Sequence, residues 1–450
     1  MNELVFTEED YLSLLHRLSD DKFESCAILT TSIVPKHRSA RMLVQQIQIA
    51  PPDAYRKRNT SAAILEPAFI VPIAKAARKN GNGLVFVHTH PWELGVPSFS
   101  AIDSQGEKLL QEFLGKRDVA GPNAALLFGK EHCRARLLGT DTEINVLTVG
   151  ATRQVVFDSS SQKHVRQVHD RQVRLLGAEA QNRLGRMVVG VVGVGGTGSI
   201  IVQQLAHLGI ENFVLVDHDL VEGTNLNRLV GAQPSDVGTP KVNIAERQVK
   251  LIAPHAQVTA IQGSVLDSDA AHSLVGVDFI FCCTDTQASR AVVNQLAYQY
   301  LIPCIDMGVS ITSGDGAIQR ISGRVQLLSP GHACLTCQDL LDSNIVRQEF
   351  MTTEQRAQDP YFIGEGEPQP AVISLNSTMS SLAITMFLAV VAELPSKARQ
   401  LNYDAMIGRV RSSSATRYPT CVVCSRYGAL GRGKEWRLPV RIVVDDNISK

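Results

Sequence analysis

The chain has 450 residues and, with 44 Lys plus Arg against 44 Asp plus Glu, no formal net charge. At roughly 150 residues per domain the length predicts two or three domains, and the neutral balance argues against a protein held to nucleic acid mainly by counterion release. Hydrophobic residues make up 44%, enough to bury a core, which excludes global disorder.

The opening MNELVFTEEDYLSLLHRLSDD lacks a basic run followed by an apolar stretch, so no export signal is expected. Up to about Val149 short strands and helices alternate. CAILTTSIV, GLVFVHTH and AALLFG read as strands of a mixed sheet, with the helical pattern AIDSQGEKLLQEFL between the last two. The polar stretch at 158–163 reads as a linker, giving domains at 1–157 and 166–450 joined by 158–165. Beyond it, MVVGVVGVGGTGSIIVQQLAHLGIENFVLVD reads as strand, glycine turn, helix, strand. VDFIFCCTD and IPCIDMGV are all-apolar, as strands buried in a parallel sheet are. A loop is expected at about 341–369. The apolar run at 381–392 is short of the roughly 20 residues that a membrane span needs and reads as a buried helix stopped at Pro395. The expected fold class is α/β, in a protein expected to be cytoplasmic with no membrane or nucleic-acid partner. In that reducing compartment nine cysteines point to metal binding or catalysis rather than disulfides.

Gly193, Gly195, Gly196 and Gly198 follow a strand and open a helix, and Asp217 ends the next strand. In such a loop the backbone approaches phosphate at a helix amino terminus and the acid takes ribose hydroxyls. Alone, this fits an NAD-dependent oxidoreductase or merely a tight turn. The flanking residues add Asp219, the run Asn225-Leu-Asn227-Arg228, then Asp236-Val-Gly-Thr-Pro-Lys241, then Cys283-Thr-Asp285. With Asp170-Arg171-Gln172-Val-Arg174-Leu-Leu-Gly177 upstream, this order resembles the adenylating domain of the ThiF/MoeB and ubiquitin-activating enzyme superfamily. The resemblance implies a Rossmann-like domain that binds ATP and Mg²⁺. Asp217 would bind the ribose, and Arg228 and Lys241 the phosphates. Asp285 would hold Mg²⁺ with Asn225 and Asp219 in support, and Arg171 would reach into the partner of a homodimer. The near-match to a P-loop at Gly428 to Glu435 lacks the Ser/Thr for Mg²⁺ and a preceding strand, and reads as a turn-rich tail.

Cys334-Leu-Thr-Cys337 and Cys421-Val-Val-Cys424 each offer two thiolates to one metal, and two such turns close a tetrahedral zinc site. Pairs separated in this way resemble those of ThiF/MoeB-like proteins, where the zinc is structural. No cysteine lies between Cys337 and Cys421, where relatives that carry a thioester often place their nucleophile. Cys282, Cys283 and Cys304 read as packing residues.

His88-Thr-His90-Pro91 closes the strand GLVFV, and two His at i and i+2 face one side. Ser100 and Asp103 follow at the start of a helix, and Glu24 precedes another strand. Together these resemble the JAMM (JAB/MPN) metalloprotease signature. The resemblance makes His88, His90 and Asp103 zinc ligands, Glu24 the general base and Ser100 an oxyanion stabiliser. The interval from His90 to Ser100 is longer than the family pattern. Ser98 keeps the usual distance, but Ala101 stands where its Asp would be. Ser100 and Asp103 also read as a helix capping box.

The leading expectation is a bifunctional enzyme using ATP, Mg²⁺ and Zn²⁺. One domain adenylates the terminal glycine of a ubiquitin-like protein, and the other cleaves peptide or isopeptide bonds after that glycine. A downstream conjugating enzyme or sulfur-transfer protein would take the product. The alternatives are an adenylating enzyme for a sulfur carrier with a non-catalytic JAB module, and an NAD-dependent oxidoreductase with structural zinc.

Overall fold

The computed structural model describes residues 2–19, 22–36, 39–159, 165–314, 317–352, 355–356 and 370–441. The chain divides into two compact units, Met1–Ser161 with Gln299–Leu301 and Ala429–Arg437, and the remainder. Most of the expected linker (160–164) lies outside the described residues, as does most of the expected loop (353–354 and 357–369).

Among the described residues the first unit has ten strands: β1 Glu3–Thr7, β2 Cys26–Lys36, β3 Ser39–Ile49, β4 Tyr55–Arg58, β5 Ala63–Leu65, β6 Gly83–Thr89, β7 Ala124–Phe128, β8 Cys133–Leu137, β9 Asn145–Val149 and β10 Arg153–Phe157. Eight form one mixed sheet in the order β10-β9-β1-β3-β2-β6-β7-β8, and β4 pairs with β5. Because side chains alternate across a strand, the sheet needs cover on both faces. Leu29, Val85 and Val87 pack on one face with Leu14 and Leu18 of α1 (Glu8–Ser19). Ile28, Leu84 and Phe86 pack on the other with Ile73 and Ala77 of α2 (Pro67–Asn80) and Leu114 of α3 (Ala101–Gly115). This double burial makes β6 read as one apolar run rather than an alternation.

The second unit has an eight-stranded sheet made of β11 Val188–Val192, β12 Asn212–Asp217, β13 Gln257–Gln262, β14 Phe279–Cys282, β15 Cys304–Gly314, β16 Ala317–Leu328, β17 Gln400–Asp404 and β18 Arg409–Ser412. The order β13-β12-β11-β14-β15-β16-β17-β18 is parallel from β13 to β15 and antiparallel from β15 onward. Short helices α4 (Asp170–Leu176) and α5 (Ala178–Arg186) precede it. The connecting helices are α6 (Gly198–His207), α7 (Lys241–Ile252), α8 (Ser268–Ser273), α9 (Gln287–Gln299), α10 (Ser343–Phe350) and α11 (Ile373–Val391). α6, α7 and α11 share one face of the sheet, where Val191, Leu215, Phe281, Met307 and Val325 meet Leu205, Val249 and Phe387. Phe387 packs edge-on to Phe279, ring centroids 4.8 Å apart, an arrangement worth about 0.5–1.5 kcal/mol beyond its burial.

Two elements differ from expectation. The buried helix begins at Ile373, not near 381: Asn376 at the end of its first turn meets Gly196, and Ser380 one turn on donates to the Thr197 carbonyl at 3.2 Å, which seats its polar start on the glycine loop. At 19 residues it is long and apolar enough to cross a membrane, though half of that window is buried within the unit. The expected loop at 341–369 contains α10, started by Asp342, whose carboxylate accepts the N–H groups of Asn344 (2.8 Å) and Ile345 (3.3 Å). The Gly428 to Glu435 motif forms turns, with Gly431 at φ +68° and Gly433 at φ +50°.

Candidate functional site

In the second unit β11 delivers the chain into the glycine loop between two buried parallel neighbours. Gly193 sits at φ +82°, and a Cβ there would stand 2.9 Å from the Cys283 carbonyl oxygen. A Cβ at Gly198 would run into the Gly193 carbonyl. Only glycine fits either place. Gly195 has nothing within 4 Å of its would-be Cβ, so its missing side chain leaves open space beside the loop. Gly196 is crowded instead, by Asn376 Nδ2 at 2.5 Å and Arg228 Cδ at 3.3 Å.

Asp217 closes β12, buried. Its carboxylate accepts the Val194 N–H (2.7 Å) and the Asp219 N–H (2.9 Å), which ties it to the loop. Burial pushes its carboxyl above the usual carboxylate range in spite of those bonds. Asp219 in turn holds Lys241, with Nζ 2.7 Å from Oδ2 and the Lys241 N–H 3.0 Å from the Asp219 carbonyl, so the first residue of α7 is anchored twice. Arg228 lays its stem along Gly196 and donates to the Thr224 carbonyl at 2.6 Å. Asn225 is buried in a capping box with Glu222, its Oδ1 accepting the Glu222 N–H at 3.3 Å. Asp285 is exposed two residues beyond Cys283, whose carbonyl abuts Gly193. Arg171 is exposed on α4, and its side chain makes no hydrogen bond or ion pair among the described residues.

Asn376 escaped the sequence reading. A polar side chain near the start of an otherwise apolar helix was the available signal.

Cys334 Sγ lies 3.5 Å from Cys421 Sγ, and Cys337 Sγ lies 3.4 Å from Cys424 Sγ. All four buried sulfurs fall within 4.8 Å of one another, and none is in a disulfide. Four thiolates 2.3 Å from one zinc stand about 3.8 Å apart, so the cluster fits a tetrahedral zinc. Hydrogen bonding, foremost from Cys424, holds the Cys334 thiol low, whereas Cys424 is pushed up by its bond to Cys334. Four thiolates need a cation in their midst. Cys421→Ser is expected to remove one zinc per chain and cost several kcal/mol, from a binding energy on the order of 10 kcal/mol. Zinc analysis with thermal unfolding checks this, and an unchanged midpoint would refute a structural role. Cys282 and Cys304 are fully buried and their thiols are pushed up by burial, that of Cys282 to about 12, as suits packing rather than nucleophiles.

The sequence model of the ThiF family matches residues 169–423, more than half of the chain. The chain belongs to the ThiF family. It is 28% identical over 262 residues to the molybdopterin-synthase adenylyltransferase of Escherichia coli K12, covering 57% of this chain and 96% of that one. Against the SAMP-activating enzyme E1 of Haloferax volcanii it is 33% identical over 162 residues, 36% of this chain and 57% of the relative. Among solved structures, E. coli MccB with MccA-N7isoASN aligns at TM-score 0.48 and 19% identity over 58% of this chain and 76% of that one.

The first unit of this ThiF-family chain gathers a second cluster. Cys26 pairs with His88 across β2 and β6, and the Ser25 N–H donates to Thr89 Oγ1 at 2.9 Å, so Glu24 is brought beside the end of β6. His88 shares the face of Leu84 and Phe86, where α3 lies, and His90 follows at the same parity. Asp103 therefore meets both imidazoles, with Oδ1 3.4 Å from His88 Nε2 and Oδ2 3.7 Å from His90 Nε2. Glu24 Oε1 is 4.0 Å from His90 Nε2. His88 Nε2 is buried with no hydrogen-bond partner. Ligand atoms about 2.0–2.2 Å from a zinc stand roughly 3.4 Å apart, so the orphaned nitrogen and its neighbours fit a three-ligand metal site.

Burial would raise Asp103, but the nearby His88 imidazole and the Ser100 N–H outweigh it and hold the carboxyl well below the usual range. Burial pushes Glu24 up despite both imidazoles. Ser100 caps α3, its hydroxyl accepting the Asp103 N–H at 3.1 Å while its own N–H donates to Asp103 Oδ2 at 2.7 Å. The capping box and the metal-site reading thus use the same two residues.

Glu93 was not anticipated. Its Oε1 is 3.0 Å from His90 Nδ1 and its Oε2 accepts the Ser98 N–H at 2.9 Å. A carboxylate on Nδ1 leaves Nε2 free for a metal, and the same group folds back the lengthened loop between His90 and Ser100. The spacing of an acid three residues after a candidate ligand was the only hint.

Proposed function

We propose that this chain adenylates the carboxy-terminal glycine of a ubiquitin-like or sulfur-carrier protein. What carries the reading is the arrangement of Asp217, Asp219, Lys241 and Arg228 around the glycine loop, in a chain whose relatives are named as adenylyltransferases and activating enzymes. A carboxylate oxygen of the glycine attacks the α-phosphorus of ATP. The new acyl–phosphate bond replaces the bond to the β-phosphate, and pyrophosphate leaves with the electron pair. The loop N–H groups face the phosphates, Asp217 takes the ribose hydroxyls, and Lys241 and Arg228 meet the charge that builds on the phosphate oxygens. Asp219 holds Lys241 in position. Magnesium held by Asp285, with Asp219 and Asn225 in support, would supply further neutralisation. Arg171 would complete the site of the partner in a homodimer.

The test is ATP–pyrophosphate exchange with a ubiquitin-like protein ending in glycine. Exchange is expected to require that protein and to vanish when its last glycine is removed. Reduction of NAD with no exchange would overturn the reading.

The first unit extends the proposal to a zinc peptidase of the JAMM type, acting on bonds after the same glycine. Its support is the orphaned His88 Nε2 facing Asp103, with His90 and Glu24 beside it. Zinc held by His88, His90 and Asp103 would acidify a bound water. Glu24 takes the proton as the water oxygen attacks the carbonyl carbon, then returns it to the departing nitrogen. The Ser100 hydroxyl, accepting from Asp103, keeps its own hydrogen for the oxyanion.

Because a base must be ionised, cleavage is expected to fall with decreasing pH as Glu24 takes up a proton, and Glu24→Gln should remove that acid limb from the residual kcat/KM profile. An acid limb that persists unchanged in Glu24→Gln would count against Glu24 as the base.

A further inference from the structure

Asn376 brings a carboxamide from α11 to the glycine loop, beside the stem of Arg228. Polar contacts lay the first half of α11 along α6. Asn376 meets Gly196, the Ser380 hydroxyl donates to the Thr197 carbonyl at 3.2 Å, and Ser381 Oγ accepts from Gln204 Nε2 at 3.0 Å. On the sheet side Met379 fills the space left by Gly323, where a Cβ would run into its sulfur. These neighbours fix where the Asn376 side chain stands. The residue is only 5% exposed, yet among the described residues its amide makes no hydrogen bond, and neither polar atom is sealed from solvent. An amide so placed gives up most of its water with no protein partner in return. Native interiors seldom carry that cost without a functional reason.

We propose that the Asn376 carboxamide donates a hydrogen bond to the α-phosphate of ATP as the acyl-adenylate forms. A Cβ on Gly196 would stand 2.5 Å from Asn376 Nδ2 and 3.3 Å from Arg228 Cδ. The amide and an arginine assigned to the phosphates therefore converge on one point of the loop. Gly196 also lies two residues past Val194, whose N–H is held by Asp217, hence at most about 7 Å along the chain. That span suits the step from the ribose hydroxyls to the phosphorus bonded to the same sugar, whereas the β- and γ-phosphates lie farther on. Turning the amide end for end would offer oxygen, and a phosphate selects the nitrogen. Attack on the α-phosphorus puts charge on its non-bridging oxygens, which a fixed neutral donor stabilises without repelling the cations of Lys241 and Arg228. The donation gains most when those oxygens carry most charge, so its loss belongs in kcat more than in ATP affinity. The proposal rests on the adenylation reading and adds to it a catalytic donor from a distant part of the chain.

The test compares the full chain as wild type, Asn376→Ala and Asn376→Asp, by pyrophosphate exchange with a ubiquitin-like protein ending in glycine and by equilibrium dialysis of ATP, AMP and adenosine. Both variants are expected to lower the kcat of exchange by about 10²–10³-fold, the loss seen when one fixed donor is removed. Asn376→Ala should bind ATP within about threefold of wild type. Asn376→Asp fills the same space with a negative charge and should weaken ATP and AMP alike, at least about tenfold. Adenosine, which carries no phosphate, should bind all three proteins equally. A merely structural asparagine would not give that pattern, because a damaged pocket would lose adenosine too. Wild-type exchange in Asn376→Ala, weakened adenosine in the variants, or a penalty in Asn376→Asp that touches ATP but spares AMP would overturn the proposal. A wild type that binds neither ATP nor AMP would sink the adenylation reading, and this proposal with it.

Discussion

Lys241→Ala is expected to lower acyl-adenylate formation by on the order of 10²–10³-fold, the loss seen when one preorganised charge stabiliser is removed from a reacting centre. The ammonium is poised rather than free. It begins α7, and Asp219 fixes it from both side chain and backbone. The pair is partly exposed, so its contribution to stability is about 0–1 kcal/mol and the variant should fold normally. Asp219→Asn should give a smaller loss, since the cation remains but is less well aimed. Pyrophosphate exchange measured beside thermal unfolding separates these effects. If Lys241→Ala exchanges at the wild-type rate, the phosphates are held elsewhere.

In the first unit, Glu24→Gln is expected to cut peptide cleavage by about 10²–10⁴-fold while zinc stays bound, because the amide cannot take a proton but still fills the same space. His88→Ala should instead lower zinc from about two per chain to about one, leaving the four-cysteine site loaded. The two variants together distinguish a base from a ligand. Loss of metal in Glu24→Gln would make Glu24 a ligand, and zinc unchanged in His88→Ala would leave the first unit without the proposed centre.

What the sequence disclosed follows from how local each signal is. Gly193, Gly198 and Asp217 belong to one strand–turn–helix–strand unit, where steric need writes glycine at fixed intervals. The cysteine knuckles and the His88–His90 pair are likewise short-range patterns. Asn376 was hidden because it reaches Gly196 from far along the chain, in a helix whose apolar bulk masks its polar first turn. Glu93 was hidden in a loop of unfamiliar length. The helix α10 escaped because eight residues with no apolar stripe buried read as loop.

The four-cysteine cluster joins positions 87 residues apart. A cross-link enclosing that much chain removes roughly 4–5 kcal/mol of disorder from the unfolded ensemble. The enclosed chain includes α11 and the β17–β18 hairpin, but not the glycine loop or Asp217. Unlike a disulfide, a tether made through zinc held by these four cysteines would come and go with the supply of metal. Loss of zinc would therefore relax the enclosed segment, and because Asn376 of α11 lies against Gly196 the effect would reach the glycine loop from outside its own strand–turn–helix unit.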